Sequence, residues 1–140
     1  MNIQRVHNRV INLDKVSTVK VDDVKERIYF NMNFATQNSN GVYIQDYVYV
    51  KNTEDTLQNV TVNLSNCEEF IEYDKNKWVN LKHISSMKYD EEAHRIIMNL
   101  SNPHTYEFPH GSKVLAEFIY MENVDEQDFD RITSILFNRL

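Results

Sequence analysis

The sequence predicts an α+β fold built twice, on three observations. The chain matches itself at a near-constant offset, the matched segments alternate apolar and polar residues, and each copy closes on a stretch of helical periodicity. Sliding the 140-residue chain by 68 positions aligns residues 8–34 with 76–102 without a gap. Nine of those 27 positions are identical, among them Asn8/Asn76, Asn12/Asn80, Ser17/Ser85, Lys20/Lys88, Asp22/Asp90, Arg27/Arg95 and Asn31/Asn99. Gly41 and Gly111 then correspond at an offset of 70, and residues 47–52 match 118–123 at 71. The offset grows only across predicted loops, as a duplication requires. The expected organisation is a single domain, 1–140, made of repeat one (1–67) and repeat two (68–140).

Each copy reads the same way. Short strands come first, at 3–6 and 10–13 in copy one and at 69–73 and 78–81 in copy two. Strands over 16–22 and 27–34, with partners at 84–90 and 95–101, show two-residue alternation rich in β-branched and aromatic residues. Four-residue connections, 23–26 and 91–94, join each pair as a hairpin. Each glycine falls in the turn that launches the last strand, where positive φ costs it little. Pro103 and Pro109 bracket 104–108, which is restricted to an edge strand or a loop.

A helix ends each copy. Asp125 is the expected N-cap of the second, with Phe129, Ile132, Leu136 and Leu140 recurring at helical spacing. In the first, Leu57, Val60, Thr61, Leu64 and Cys67 share that period. The repeat is thus an antiparallel meander of four or five strands followed by one helix. A unit of this size buries only about 60% of its unfolded surface alone. Both faces of the last strand are apolar, Tyr47 and Tyr49 on one and Val48 and Val50 on the other. One face is expected to meet the helix and the other the sister repeat, in a pseudo-two-fold pair.

Composition narrows the function classes. Hydrophobic residues make up 41% and charged residues 26% of the chain, enough apolar content for a core. No stretch approaches the roughly 18 apolar residues of a membrane span, and residues 1–10 lack a signal-peptide pattern. With Cys67 as the only cysteine, an internal disulfide is excluded and a reducing, cytoplasmic setting is expected. A net charge of −6 opposes phosphate backbones and anionic lipid, leaving room for a local basic stripe. The chain's 17 asparagines fit an AT-rich genome, such as that of a low-GC bacterium or its phage.

Catalytic machinery is not visible. The five histidines lack metal-ligand spacing, although His104 and His110 flank one proline-bounded loop. Cys67 sits on an apolar helical stripe, and the acidic run from Glu122 to Asp130 suits a helix N-terminus. We expect no enzyme, no cofactor and no metal.

One constellation has a functional character. The outward face of strand 27–33 carries Arg27, Tyr29 and Asn31, matched by Arg95, Ile97 and Asn99, and the neighbouring strands add Lys20 and Lys88. Cations beside aromatic and amide side chains suit a single strand of DNA or RNA, with phosphates on Lys and Arg and bases on Tyr29, Tyr49 or Trp78. The competing reading is structural: Asp22 faces Arg27, and Asp90 faces Arg95, as cross-strand pairs that fix register.

The duplicated strands-then-helix order resembles the whirly fold, whose paired units bind single-stranded DNA or RNA; the basic Lys-Gly-Lys-Ala-type stretch of that family has no counterpart here. Pleckstrin-homology-like meanders, which bind lipids or peptides, are similar in topology too. Two functions stand as expectations: a single-stranded nucleic-acid binder, or an adaptor or inhibitor that binds a host protein through an acidic surface or a sheet edge. Homo-oligomerisation is left open.

Overall fold

A computed structural model describes residues 2–37, 39–41, 43–101, 104–108, 111–115 and 118–138, with side chains outside 36–37, 43–44, 104–108, 111–115 and 137. Pro103, Pro109, His110 and Leu140 lie outside the described residues. The chain is α+β with antiparallel sheets and two α-helices among those residues.

Copy one runs β1 (Ile3–Val6), β2 (Arg9–Asn12), β3 (Val16–Asp22), β4 (Arg27–Gln37), β5 (Tyr43–Lys51) and α1 (Glu54–Asn66). Copy two runs β6 (Phe70–Asp74), β7 (Lys77–Asn80), β8 (Ile84–Asp90), β9 (Arg95–Leu100), β10 (His104–Phe108), β11 (Gly111–Leu115), β12 (Phe118–Glu122) and α2 (Glu126–Phe137). A 3-10 turn follows β2 and β7, at Leu13–Lys15 and Leu81–His83. Gly41, at φ 78°, serves the β4–β5 turn as expected, whereas Gly111 opens β11, one strand earlier than the sequence suggested.

The duplication extends to individual hydrogen bonds. Asn12 Oδ1 accepts from Asp14 N–H at 3.0 Å, and Asn80 Oδ1 accepts from Lys82 N–H at 3.0 Å, capping the two 3-10 turns. Asp22 Oδ1 accepts from Lys25 N–H and Asp90 Oδ1 from Ala93 N–H, closing the two hairpin turns. Those turns place Glu26 at φ 54° and His94 at φ 52°, a left-handed conformation in which neither residue is at ease. Register slips once in each hairpin, between Val16 and Thr18 and between Ile84 and Ser86.

Two compact units form, and their boundary differs from that of the repeats. The first comprises residues 1–32 and 47–82, the second 33–46 and 83–140. The hairpin β6–β7, sequentially the start of copy two, therefore belongs to the first unit. There β3 is flanked on both sides, in a five-stranded sheet ordered β5-β4-β3-β7-β6. Asn80 secures the join: fully buried, its Nδ2 donates to Leu13 O at 3.3 Å and Val16 O at 3.0 Å. The core of this unit is Leu13, Val16, Val19, Ile28, Phe30 and Trp78 beneath Val60 and Leu64 of α1. Thr53 caps α1 by accepting from Thr56 N–H.

In the second unit the order β12-β9-β8 repeats the arrangement β5-β4-β3, and β10 pairs with β11 separately. Ile96, Met98, Leu100 and Ile132 are buried. The expected Asp125 cap is present as a capping box, in which Asp125 and Asp128 each accept from the other's backbone N–H. No helix among the described residues is long and apolar enough to cross a membrane.

Candidate nucleic-acid interface

Strand alternation sends Ile28 and Phe30 of β4 into the core and Arg27, Tyr29 and Asn31 to the opposite face. Antiparallel register then sets Lys20 of β3 opposite Tyr29, and Lys77 of β7 opposite Lys20. Tyr47 and Tyr49, two residues apart on β5, join the same cluster. Tyr29 lies 5.7 Å from the Tyr47 ring and 5.9 Å from the Tyr49 ring, with 6.5 Å between the latter two. The Arg27 guanidinium sits 4.1 Å over Tyr49, and its Nη1 donates to Tyr29 Oη at 3.4 Å. That hydrogen bond is the main cause raising the Arg27 pKa, against desolvation, so the charge is permanent.

Tyr47 is 49% exposed and Tyr49 43%, in the range where a ring presents a face to solvent. What results is a surface platform of three tyrosines edged by Arg27, Lys20 and Lys77.

The second unit carries a modified version. Tyr120 pairs with Ile97 and Phe118 with Asn99, and the Phe118 and Tyr120 rings stand 5.3 Å apart. Arg95 lies 4.4 Å over Tyr120, as Arg27 lies over Tyr49. Two carboxylates hold it, however: Asp90 Oδ2 at 3.7 Å and Glu122 Oε1 at 3.9 Å. The residue equivalent to Glu122 in copy one is Lys51. The cross-strand ion pair foreseen for both hairpins is thus formed by Arg95, while Arg27 is turned to the aromatic rings. In the first unit Arg27 stays with the tyrosines while Lys77 pairs with Asp74 at 3.7 Å; in the second, Arg95 is neutralised by its two carboxylates.

Other residues singled out from sequence have different duties. Trp78 is 3% exposed, packed in the core on the inner face of β7, so its ring cannot receive a base. Asn31 Nδ2 donates to Thr18 Oγ1 at 3.0 Å, while its backbone carbonyl accepts from Ser17 Oγ. Asn99 repeats both contacts with Ser86 and Ser85. The two amides and the two serine hydroxyls stitch the register slips, each in the same way in both copies. Lys88 is exposed opposite Ile97, away from any tyrosine on β9. Sequence reasoning omitted Lys77, because only the pairing of β7 with β3 brings it beside Lys20. The described residues hold no group of three His, Cys, Asp or Glu arranged for a metal; His104 and His110 fall outside the described side chains.

No family model matches the chain, and no curated protein does either. Among solved structures, the fold is similar to a LytTr DNA-binding domain from Bacillus cereus, at a TM-score of 0.50 and 15% identity, covering 94% of each chain. That domain is not a whirly protein.

Proposed function

We propose that this chain is a non-enzymatic, intracellular DNA-binding protein that receives a single strand on the tyrosine platform of its first unit. The observation that carries the reading is the exposed Tyr29, Tyr47 and Tyr49 cluster with Arg27, Lys20 and Lys77 along its edge. Bases would stack on Tyr47 and Tyr49 while the three cations hold phosphates, a division of labour that needs no base-specific hydrogen bonds. Likeness of fold to a LytTr DNA-binding domain lends support to DNA as the ligand. The overall charge of −6 opposes this binding at long range, so affinity would depend on the local cations and fall with salt.

Fluorescence anisotropy with a labelled single strand and its duplex, each at two salt concentrations, tests the proposal. Tyr47→Ala with Tyr49→Ala should weaken single-strand binding by roughly tenfold or more, since one stacked base contributes about 1–3 kcal/mol. Phe118→Ala with Tyr120→Ala, on the neutralised copy, should leave it nearly unchanged. Absent binding, or equal loss from both pairs, would sink the platform reading; preference for the duplex would retain DNA and remove the single-strand specificity. A second reading, an adaptor for a host protein, draws on the acidic surface and on the edge of β8, which pairs only with β9 among the described residues. Capture of a stoichiometric partner that competes with no DNA would favour it.

A further inference from the structure

We infer that the open edge of β8 is a docking site for the N-terminal hairpin β1–β2 of a second copy of this chain. The internal precedent is the edge of β3. There β7 docks with Thr18 opposite Val79, Val19 opposite Trp78 and Lys20 opposite Lys77, and Val21 N–H donates to Asn76 O at 3.1 Å. Docking leaves Ser17, Thr18 and Val19 fully buried.

Both halves of that interface occur again, unmated. Strand β8 is the copy of β3, yet it pairs only with β9 among the described residues. Ser85 and Ser86, equivalent to the buried Ser17 and Thr18, are exposed, and Met87 is half-buried where Val19 is sealed. Strand β2 is the copy of β7, yet among the described residues it pairs only with β1. Val10 is 62% exposed where its equivalent, Trp78, is 3% exposed. Asn12 caps its 3-10 turn as Asn80 does, but among the described residues its Nδ2 lacks the carbonyl partners that Asn80 has in Leu13 and Val16.

Shifting the internal register by the repeat offset of 68 specifies the contact. Ser86 meets Ile11, Met87 meets Val10, and Lys88 meets Arg9 of the second copy. Tyr89 N–H reaches Asn8 O, the equivalent of Asn76, and Asn12 Nδ2 reaches the carbonyls of Leu81 and Ile84. Arg9 against Lys88 repeats the like-charge step already accommodated at Lys77 and Lys20. The occupant is a second copy because the chain itself carries the hairpin that fits this edge, with the identical Asn residues at both ends of the contact. Such strand addition supplies main-chain hydrogen bonds and covers an edge otherwise prone to unspecific pairing. The contact joins two different surfaces, so it is head-to-tail and leaves each copy one further edge to offer. It does not depend on the DNA-binding reading.

Sedimentation velocity on the full chain over a hundredfold concentration range tests the inference; a shift from monomer to larger species is expected. Val10→Lys and Ser86→Lys each place a charge where the paired equivalent is buried, and each should abolish the shift alone. Both positions are exposed, so circular dichroism should stay unchanged. Mixing the two variants should restore a dimer that grows no further, because each retains the edge the other has lost. In the unsubstituted chain, amides of residues 86–89 should gain protection from hydrogen exchange as concentration rises. A chain that stays monomeric, a single variant that still associates, or a β8 edge whose exchange ignores concentration overturns the inference.

Discussion

Asn80 and Asn12 occupy the same place in the two copies and cap the same 3-10 turn, yet their removal should cost very different amounts. Asn12→Ala removes one capping hydrogen bond, from Asp14 N–H, at a half-buried site, a loss of about 1 kcal/mol. Asn80→Ala removes the equivalent cap and two further hydrogen bonds to Leu13 O and Val16 O in a fully buried setting. Each of those contributes about 0.5–1.5 kcal/mol, for a total near 2–4 kcal/mol. Leu13 O retains the N–H of Val16, so the upper end requires Val16 O to be left without a substitute. Urea unfolding of both variants, at concentrations where the chain is monomeric, measures the difference from midpoints at constant m. Equal losses would refute the idea that Asn80 fastens the second copy's hairpin onto the first unit.

Trp78 is the chain's one tryptophan and lies in the core. Its emission should be blue-shifted, resist iodide quenching and ignore added single-stranded DNA; strong quenching by DNA would return it to the surface. Asn31→Ala should lower stability by about 1 kcal/mol through its cross-strand bond to Thr18, while single-strand affinity holds; lost affinity at unchanged stability would restore Asn31 as a ligand. Tyr89 stacks on Phe129, and its pKa is raised, first by desolvation and then by Glu91, Asp125, Glu126 and Asp128. Its contribution to stability is therefore fully present below the unfolded pKa and lost as pH rises through the higher folded value. Tyr89→Phe should flatten that alkaline decline; an unchanged pH profile would show that the shift is unimportant.

Local order was legible wherever one face of a strand is apolar. Strands 3–6, 16–22 and 84–90 and the Asp125 cap stand where alternation and capping chemistry set them. The repeat was legible because its hydrogen bonds call for the same side-chain chemistry twice, as the Asn31 amide on the Thr18 hydroxyl and the Asn99 amide on the Ser86 hydroxyl now show. Partner choice between strands was not. Alternation says which side of β7 is apolar but carries no mark that β3 is its neighbour, so Trp78 looked available and Lys77 went unnoticed. Tyr49 was legible as a ring open to a base, but Tyr47 was not, and only the exposure of both shows that they form one surface.

Turns that the backbone forces to the left are, among the described residues, mostly occupied by residues other than glycine. His7, Glu26, Asn76, His94 and Asn123 all take φ between 52° and 57°. Each carries a Cβ that crowds the adjoining carbonyl at about 1–2 kcal/mol, and asparagine offsets part of it by local hydrogen bonding of its short side chain, as glutamate does not. Glu26 and His94 are nonetheless anchored, since their carbonyls receive the N–H groups of Asn52 and Val124 at 2.8 and 3.0 Å. Heat tolerance is therefore adjustable at the hairpin tips alone, by relieving that crowding, with every strand, core side chain and surface ring left as it stands.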